Sequence, residues 1–160
     1  MGSTSDLPVM EKACKWLDDN EIPFEVNALS AHRTPDAVEA FAKGAQERGI
    51  KVIIAAAGMA AALPGVIAAS TNLPVIGVPI KGMLDGLDAM LSIIQMPPGI
   101  PTATVGVNAA QNAAILAAQI IGLSDSAVAA KVAAHKAGLG AQLVKANKDL
   151  AEVKYNFKTN

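Results

Sequence analysis

Short apolar runs alternate with helical stretches along most of this chain, and that alternation constrains the fold more than any other feature. "KVIIAAA" (51–57) reads as a buried strand, and "LPVIGVPI" (73–80) and "TATVGV" (102–107) read as further strands. Helical segments follow each one: a short helix near 60–70, "GLDAMLSIIQ", and "AAQNAAILAAQII". "PFEVNAL" (23–29) alternates apolar and polar residues, so it too reads as a strand. Strands separated by helices argue for βαβ units, hence a parallel sheet with helices on both faces. Residues 125 to about 150 form a more polar helical end with no strand after it. That helix is expected to pack on another subunit.

Helix starts carry recognisable signals. Asp6 precedes "VMEKACKWLDDN", with Pro8 in the first turn and apolar spacing at Val9, Ala13, Trp16 and Leu17. Thr34 is placed to cap the next helix, with Pro35 at its first position and Asp36 in its positive first turn. "QMPPGIP" (95–101) ends a helix, because Pro97 and Pro98 block its continuation. Asp85 and Asp88 read as turn and cap residues, Cys14 as core, and His135 as a solvated residue of the terminal helix.

Composition removes several function classes. With 52% hydrophobic and 17% charged residues, much of the surplus being alanine, close helix packing and buried subunit contacts are expected. "VIIAAAGMAAALPGVIAA" (52–69) has the length of a membrane span, but Gly58, Pro64 and Gly65 interrupt it and no basic cluster or aromatic belt flanks it. A membrane partner is therefore not expected, and no N-terminal signal is visible. Net charge is −1 and aromatics are 3%, which leaves neither a basic stripe nor stacking platforms for nucleic acid. A single cysteine excludes an intramolecular disulfide and a thiolate cluster, and only two histidines are present. No metal site is expected. At 160 residues the default is one domain, 1–160, without an internal repeat or linker.

In a parallel sheet, ligands bind beyond the carboxyl ends of the strands. Three loops fall there: "MGSTSD" (1–6), "SAHRTPD" (30–36) and "AAGMAAALPG" (56–65). The first offers Gly2 for close approach, two serine hydroxyls and free amides at a helix start, which suits a phosphate; an ordinary capped helix would look the same. Arg33 is either a bidentate phosphate clamp or one half of a surface ion pair. His32 is either a proton carrier near neutral pH or a histidine bonded within its loop. Side by side at one strand end, these residues make a candidate site.

Six collinear motifs then become recognisable: "MGSTSD", "SAHRTPD", "LPG", "LPVIGVP", "GLDAMLSIIQMPPGIPTATVGV" and "NAAILAAQI". Together they resemble the class I 5-(carboxyamino)imidazole ribonucleotide mutase family of purine biosynthesis, over residues 1–122, with 123–160 as a helical C-terminal extension. The resemblance implies a flavodoxin-like three-layer α/β sandwich, a homo-octamer with sites between subunits, and a cytoplasmic setting. It implies transfer of a carboxylate from an exocyclic nitrogen to a ring carbon of a small ribonucleotide, with no metal or organic cofactor. Carried over by position, His32 is the catalytic histidine. Ser3, Asp6 and Arg33 contact the ribose phosphate, and Ser30 and Gly58 line the pocket.

The chain departs from the family twice. Relatives usually have a histidine where this chain has Ala62, and they carry an apolar strand before "MGS", whereas this chain starts at Met1. Three other readings remain open: direct carboxylation of aminoimidazole ribonucleotide by carbon dioxide, a flavin-mononucleotide module of the same fold, and a catalytically silent assembly protein.

Overall fold

The computed structural model describes residues 1–160. After a 3-10 turn (Thr4–Asp6) come α1 (Leu7–Asp19), α2 (Pro35–Gly44), β1 (Ile53–Gly58), α3 (Leu63–Ser70), β2 (Val75–Ile80), α4 (Leu87–Ile94), β3 (Ala103–Thr104), α5 (Ala110–Gly122) and α6 (Ser126–Glu152). The strands form one parallel sheet in the order β1-β2-β3. Its register pairs Ile53 with Val75 through to Gly58 with Ile80, and Ile76 with Ala103.

Strand period two sorts the core into two layers. Ala56, Ile76, Val78 and Ile80 pack against α1 and α5, where Ala13, Trp16, Leu17 and five alanines of α5 are buried. Ile53, Ala55, Ala57 and Val75 face α2, α3 and α4, meeting Val38, Leu63, Ile67, Ala89 and Ile93. The small side chains of α5 let that helix lie close to the sheet. The expected three-layer arrangement, with a parallel sheet between helices, is present. No helix is long and apolar enough to cross a membrane.

Two expected strands differ from the structure. Residues 23–29 are extended but form no strand. Only their end is paired: the Met1 amine donates to the Asn27 carbonyl at 2.9 Å, and the Leu29 amide donates to the Met1 carbonyl at 2.9 Å. Residues 23–26 have no backbone neighbour, and Phe24 and Val26 stay 42% and 50% exposed. An alternating pattern makes a strand only where a ladder partner lies beside it. The run 102–107 contracts to Ala103–Thr104 because it lies at the sheet edge and turns away at Gly106–Ala109, where the Ala109 amide closes on the Gly106 carbonyl.

Met1 and Gly2 nevertheless bridge residues 27–29 and β1. The Gly2 amide donates to the Ala56 carbonyl at 3.0 Å, so this short stub lies between residues 27–29 and β1. From it the chain proceeds first to one side and later to the other. That reversal is the switch point where α/β sheets bind ligands. Burial there holds the Met1 amine below its ordinary value, against the opposing pull of the Asp6 charge.

Three smaller expectations are also corrected. His135 is not solvated: its Nδ1 accepts the Trp16 indole N–H at 3.2 Å, and the rings meet edge to face at 5.4 Å. Cys14 is only half-buried, though burial still raises its thiol above the ordinary value. Gly86, not Asp88, occupies the N-cap of α4, using φ of +88° that suits glycine, and Asp88 lies in the first turn.

Candidate active site

Each of the three strand-end loops is shaped by its own hydrogen bonds. In the first, Ser3 begins the 3-10 turn: its Oγ accepts the Ser5 amide at 3.3 Å, while its own amide donates to Asp6 Oδ2 at 3.3 Å. This reciprocal arrangement is a capping box. Asp6, read from sequence as a cap for α1, instead turns its carboxylate back on the loop, where Ser5 Oγ also donates to Oδ1. It is the one buried charged residue of the chain, at 9% exposure.

The second loop is tied to the first by Arg33. Its Nη2 donates to the Gly2 carbonyl at 2.9 Å, and its Nε and backbone amide both donate to Ser30 Oγ at 3.2 Å. Two of the guanidinium's five N–H donors are thus used to hold it in place, and three remain for a ligand. Thr34 occupies the N-cap of α2 without capping it. Its hydroxyl closes the loop instead, accepting the Ser30 amide at 3.1 Å and donating to the Ser30 carbonyl at 3.2 Å. His32 stands exposed at the crest of this turn.

The third loop leaves β1 at Gly58, whose Cα hydrogens lie against β2: a Cβ there would stand 3.4 Å from the Ile80 carbonyl oxygen. Met59 then takes a φ of +55° and remains 62% exposed. Ala62 supplies the N-cap of α3 and brings only a methyl group to the site.

These loops enclose one cleft of about 570 Å³, within the ordinary range for small-molecule sites. Ser3, Asp6, Ser30, His32, Arg33 and Gly58 all line it, as do Ala62 and Lys81. All six residues singled out from sequence, by their strand-end loops and by the family resemblance, line this one cleft. Lys81 had been missed. Its signal was the single charge directly after "LPVIGVPI", the same strand-end position that marked the other loops. No group of three or more His, Cys, Asp or Glu side chains gathers into a metal-ligating cluster. The second, more open depression, about 380 Å³, is lined by Asp18, Glu21, Ile22, Pro23 and Phe24 and offers no cation to a phosphate.

A family model described as AIR carboxylase matches residues 1–142 of this cleft-bearing chain. The chain belongs to the AIR carboxylase family. Within that family it is similar to the N5-carboxyaminoimidazole ribonucleotide mutase of Pyrococcus abyssi, with 56% identity over 85% of this chain and 79% of the relative. The mutase of Thermotoga maritima is 50% identical over 100% of this chain and 94% of its own. The phosphoribosylaminoimidazole carboxylase of Saccharomyces cerevisiae is 57% identical over 82% of this chain, but only 23% of that longer protein is matched. Among solved structures, the crystal structure of Treponema denticola PurE superposes with a TM-score of 0.82 at 29% identity, covering 94% of each chain. This AIR carboxylase family member therefore has the flavodoxin-like fold as well as the sequence of its relatives.

Proposed function

We propose that this chain is an N5-carboxyaminoimidazole ribonucleotide mutase of purine biosynthesis. The observation that carries the reading is the meeting, in one cleft, of a prefixed Arg33 and the cleft's one imidazole, His32. The named mutases support it further, because they are matched over most of their own length. The carboxylase alternative rests on relatives of which this chain spans less than a quarter.

In this reading, the free N–H donors of Arg33 and the Ser3 hydroxyl, whose oxygen accepts the Ser5 amide and leaves its hydrogen free, hold the 5′-phosphate. Ser30 orients Arg33, and Asp6 fixes the turn. The carbamate C–N bond breaks as a proton reaches the exocyclic nitrogen, releasing carbon dioxide. The aminoimidazole left behind is an enamine-like carbon nucleophile. It adds to the trapped carbon dioxide at C4, and loss of the C4 proton restores the aromatic ring. One proton is delivered and one removed, so a single imidazole serves both steps and the reaction is an isomerisation without net proton change. Trapping makes recapture faster than escape. The Ala57–Leu63 side chains, small or apolar, favour a water-poor wall around the gas. Ala62 adds no second titratable group, so His32 acts alone.

We take 1–160 as a single catalytic domain in a cytoplasmic homo-octamer. Support comes from uncovered apolar side chains: Leu87, Leu91 and Ile94 on α4, and Leu139, Leu143 and Leu150 on α6. In this assembly α6 packs on neighbouring subunits.

Arg33 provides the test of the phosphate site. Arg33→Lys keeps charge but loses the planar fork, and is expected to raise KM for the nucleotide about tenfold, with Arg33→Ala higher still. Both variants should stay folded, since the residue is exposed in a loop, with at most a small fall in Tm from the lost bonds to Gly2 and Ser30. Steady-state kinetics with the nucleotide and with its dephosphorylated nucleoside decide the matter. Equal use of the two by the parent protein removes Arg33 from the phosphate role.

A further inference from the structure

The order of chain segments across the cleft assigns its two ends. Arg33 bonds to Gly2, Gly2 bonds to Ala56 of β1, and Gly58 at the end of β1 is in register with Ile80 at the end of β2. Lys81 follows Ile80. Of the residues lining the cleft, only Arg33 and Lys81 carry a permanent positive charge, and they stand at opposite ends of this row. With neighbouring strands about 4.8 Å apart, three intervals set their backbones about 14 Å from each other. The Arg33 guanidinium reaches inward to the Gly2 stub, two intervals or about 10 Å from β2, a span on the order of a ribonucleotide's reach from its 5′-phosphate to the far edge of its base.

Lys81 is anchored at the backbone and free at the tip. Its amide donates to Asn108 Oδ1 at 2.8 Å. Its ammonium rests on Asp85 Oδ1 at 2.9 Å, with side chains 58% and 88% exposed. An ion pair so exposed is worth little and yields readily to a better-placed anion. Asp85 itself does not line the cleft. A lysine also suits the chemistry better than an arginine would. The migrating carboxylate moves from the exocyclic nitrogen to a ring carbon two bonds away, and a compact ammonium with three rotatable donors follows it where a rigid fork matches one position.

We propose that Lys81 holds the carboxylate of the nucleotide, before and after its migration, while Arg33 holds the phosphate. The inference rests on the mutase reading and adds a specificity-determining residue at the reacting end. Lys81 leaves Asp85 when the carboxylated nucleotide enters, and the protein prefers carboxylated over decarboxylated ligand for that reason.

Calorimetric titration with 4-carboxy-5-aminoimidazole ribonucleotide and with 5-aminoimidazole ribonucleotide tests this. Lys81→Met keeps the stem and loses the charge. It is expected to weaken the carboxylated ligand about 10–100-fold and the decarboxylated one by less than about threefold, the difference expected for a charge-assisted hydrogen bond. Lys81→Arg is expected to recover most of the preference, which a merely structural role would not require. If Lys81→Met weakens both ligands alike, or neither, Lys81 is not the carboxylate's partner. If the parent protein binds neither nucleotide, the mutase reading fails and this inference falls with it. A parent that turns over normally beside a Met variant with intact preference overturns this inference alone.

Discussion

Replacement of His32 by Asn is expected to lower kcat by about two to four powers of ten, the usual size of a general acid–base contribution. Asn keeps polarity and approximate size but cannot carry a proton near neutral pH. No other imidazole lines the cleft to take over. His135, the chain's second histidine, is engaged with Trp16 on the α1 and α5 side of the sheet. Because His32 is exposed on a turn, its loss should leave the melting temperature unchanged. Product affinity should change little, since the phosphate and carboxylate contacts lie elsewhere. Steady-state rates and a product titration on the same preparation separate these effects. Near-normal kcat in the variant would remove His32 from proton transfer.

Gly77→Ala is expected to destabilise the fold by about 3 kcal/mol, at the upper end of the usual cost of overpacking a core. Gly77 lies mid-way along β2 and faces α3 and α4. A Cβ there would stand 2.3 Å from Ile93 Cγ2 and 3.5 Å from Pro64 Cβ. Ile93 is fully buried, so it has no solvent to swing into, and α4 must move outward. For a chain of this length that cost corresponds to a fall in Tm of about 6–12 °C. Thermal unfolding followed by circular dichroism measures it. The shift should appear before any loss of site chemistry, because the cleft lies at the strand ends and not at their middles. An unchanged Tm would mean that the β2–α4 contact is looser than its geometry shows.

What the sequence made legible follows physical lines. "VIIAAA" and "VIGVPI" were readable because strands buried on both faces are apolar at every position, and these two are the paired centre of the sheet. Helix α1 was readable because Ala13, Trp16 and Leu17 recur at helical spacing, and all three are buried. "PFEVNAL" misled because its alternation is real while its pairing is not local: only Asn27 and Leu29 find a neighbour, in Met1. The cleft residues were legible because strand ends can be located without coordinates. Lys81 was not, since its importance appears only when the register sets β2 beside β1 and puts Lys81 opposite Arg33. The Trp16–His135 pair spans 119 positions, and nothing local in either segment announces it. Asp6 was placed correctly at a helix start, but its carboxylate turns back to Ser3, a choice fixed by the geometry of the 3-10 turn.

Transfer of an isotopically labelled carboxylate tests the mutase reading most directly. N5-carboxyaminoimidazole ribonucleotide labelled in its carbamate is supplied in unlabelled bicarbonate buffer without ATP, and the label at C4 of the product is followed by carbon NMR. A cleft that keeps released carbon dioxide beside the ring predicts product carrying the label with little dilution. Label lost fully to bicarbonate, with aminoimidazole ribonucleotide plus bicarbonate as the better substrate pair, would contradict the mutase reading and make the protein a carboxylase.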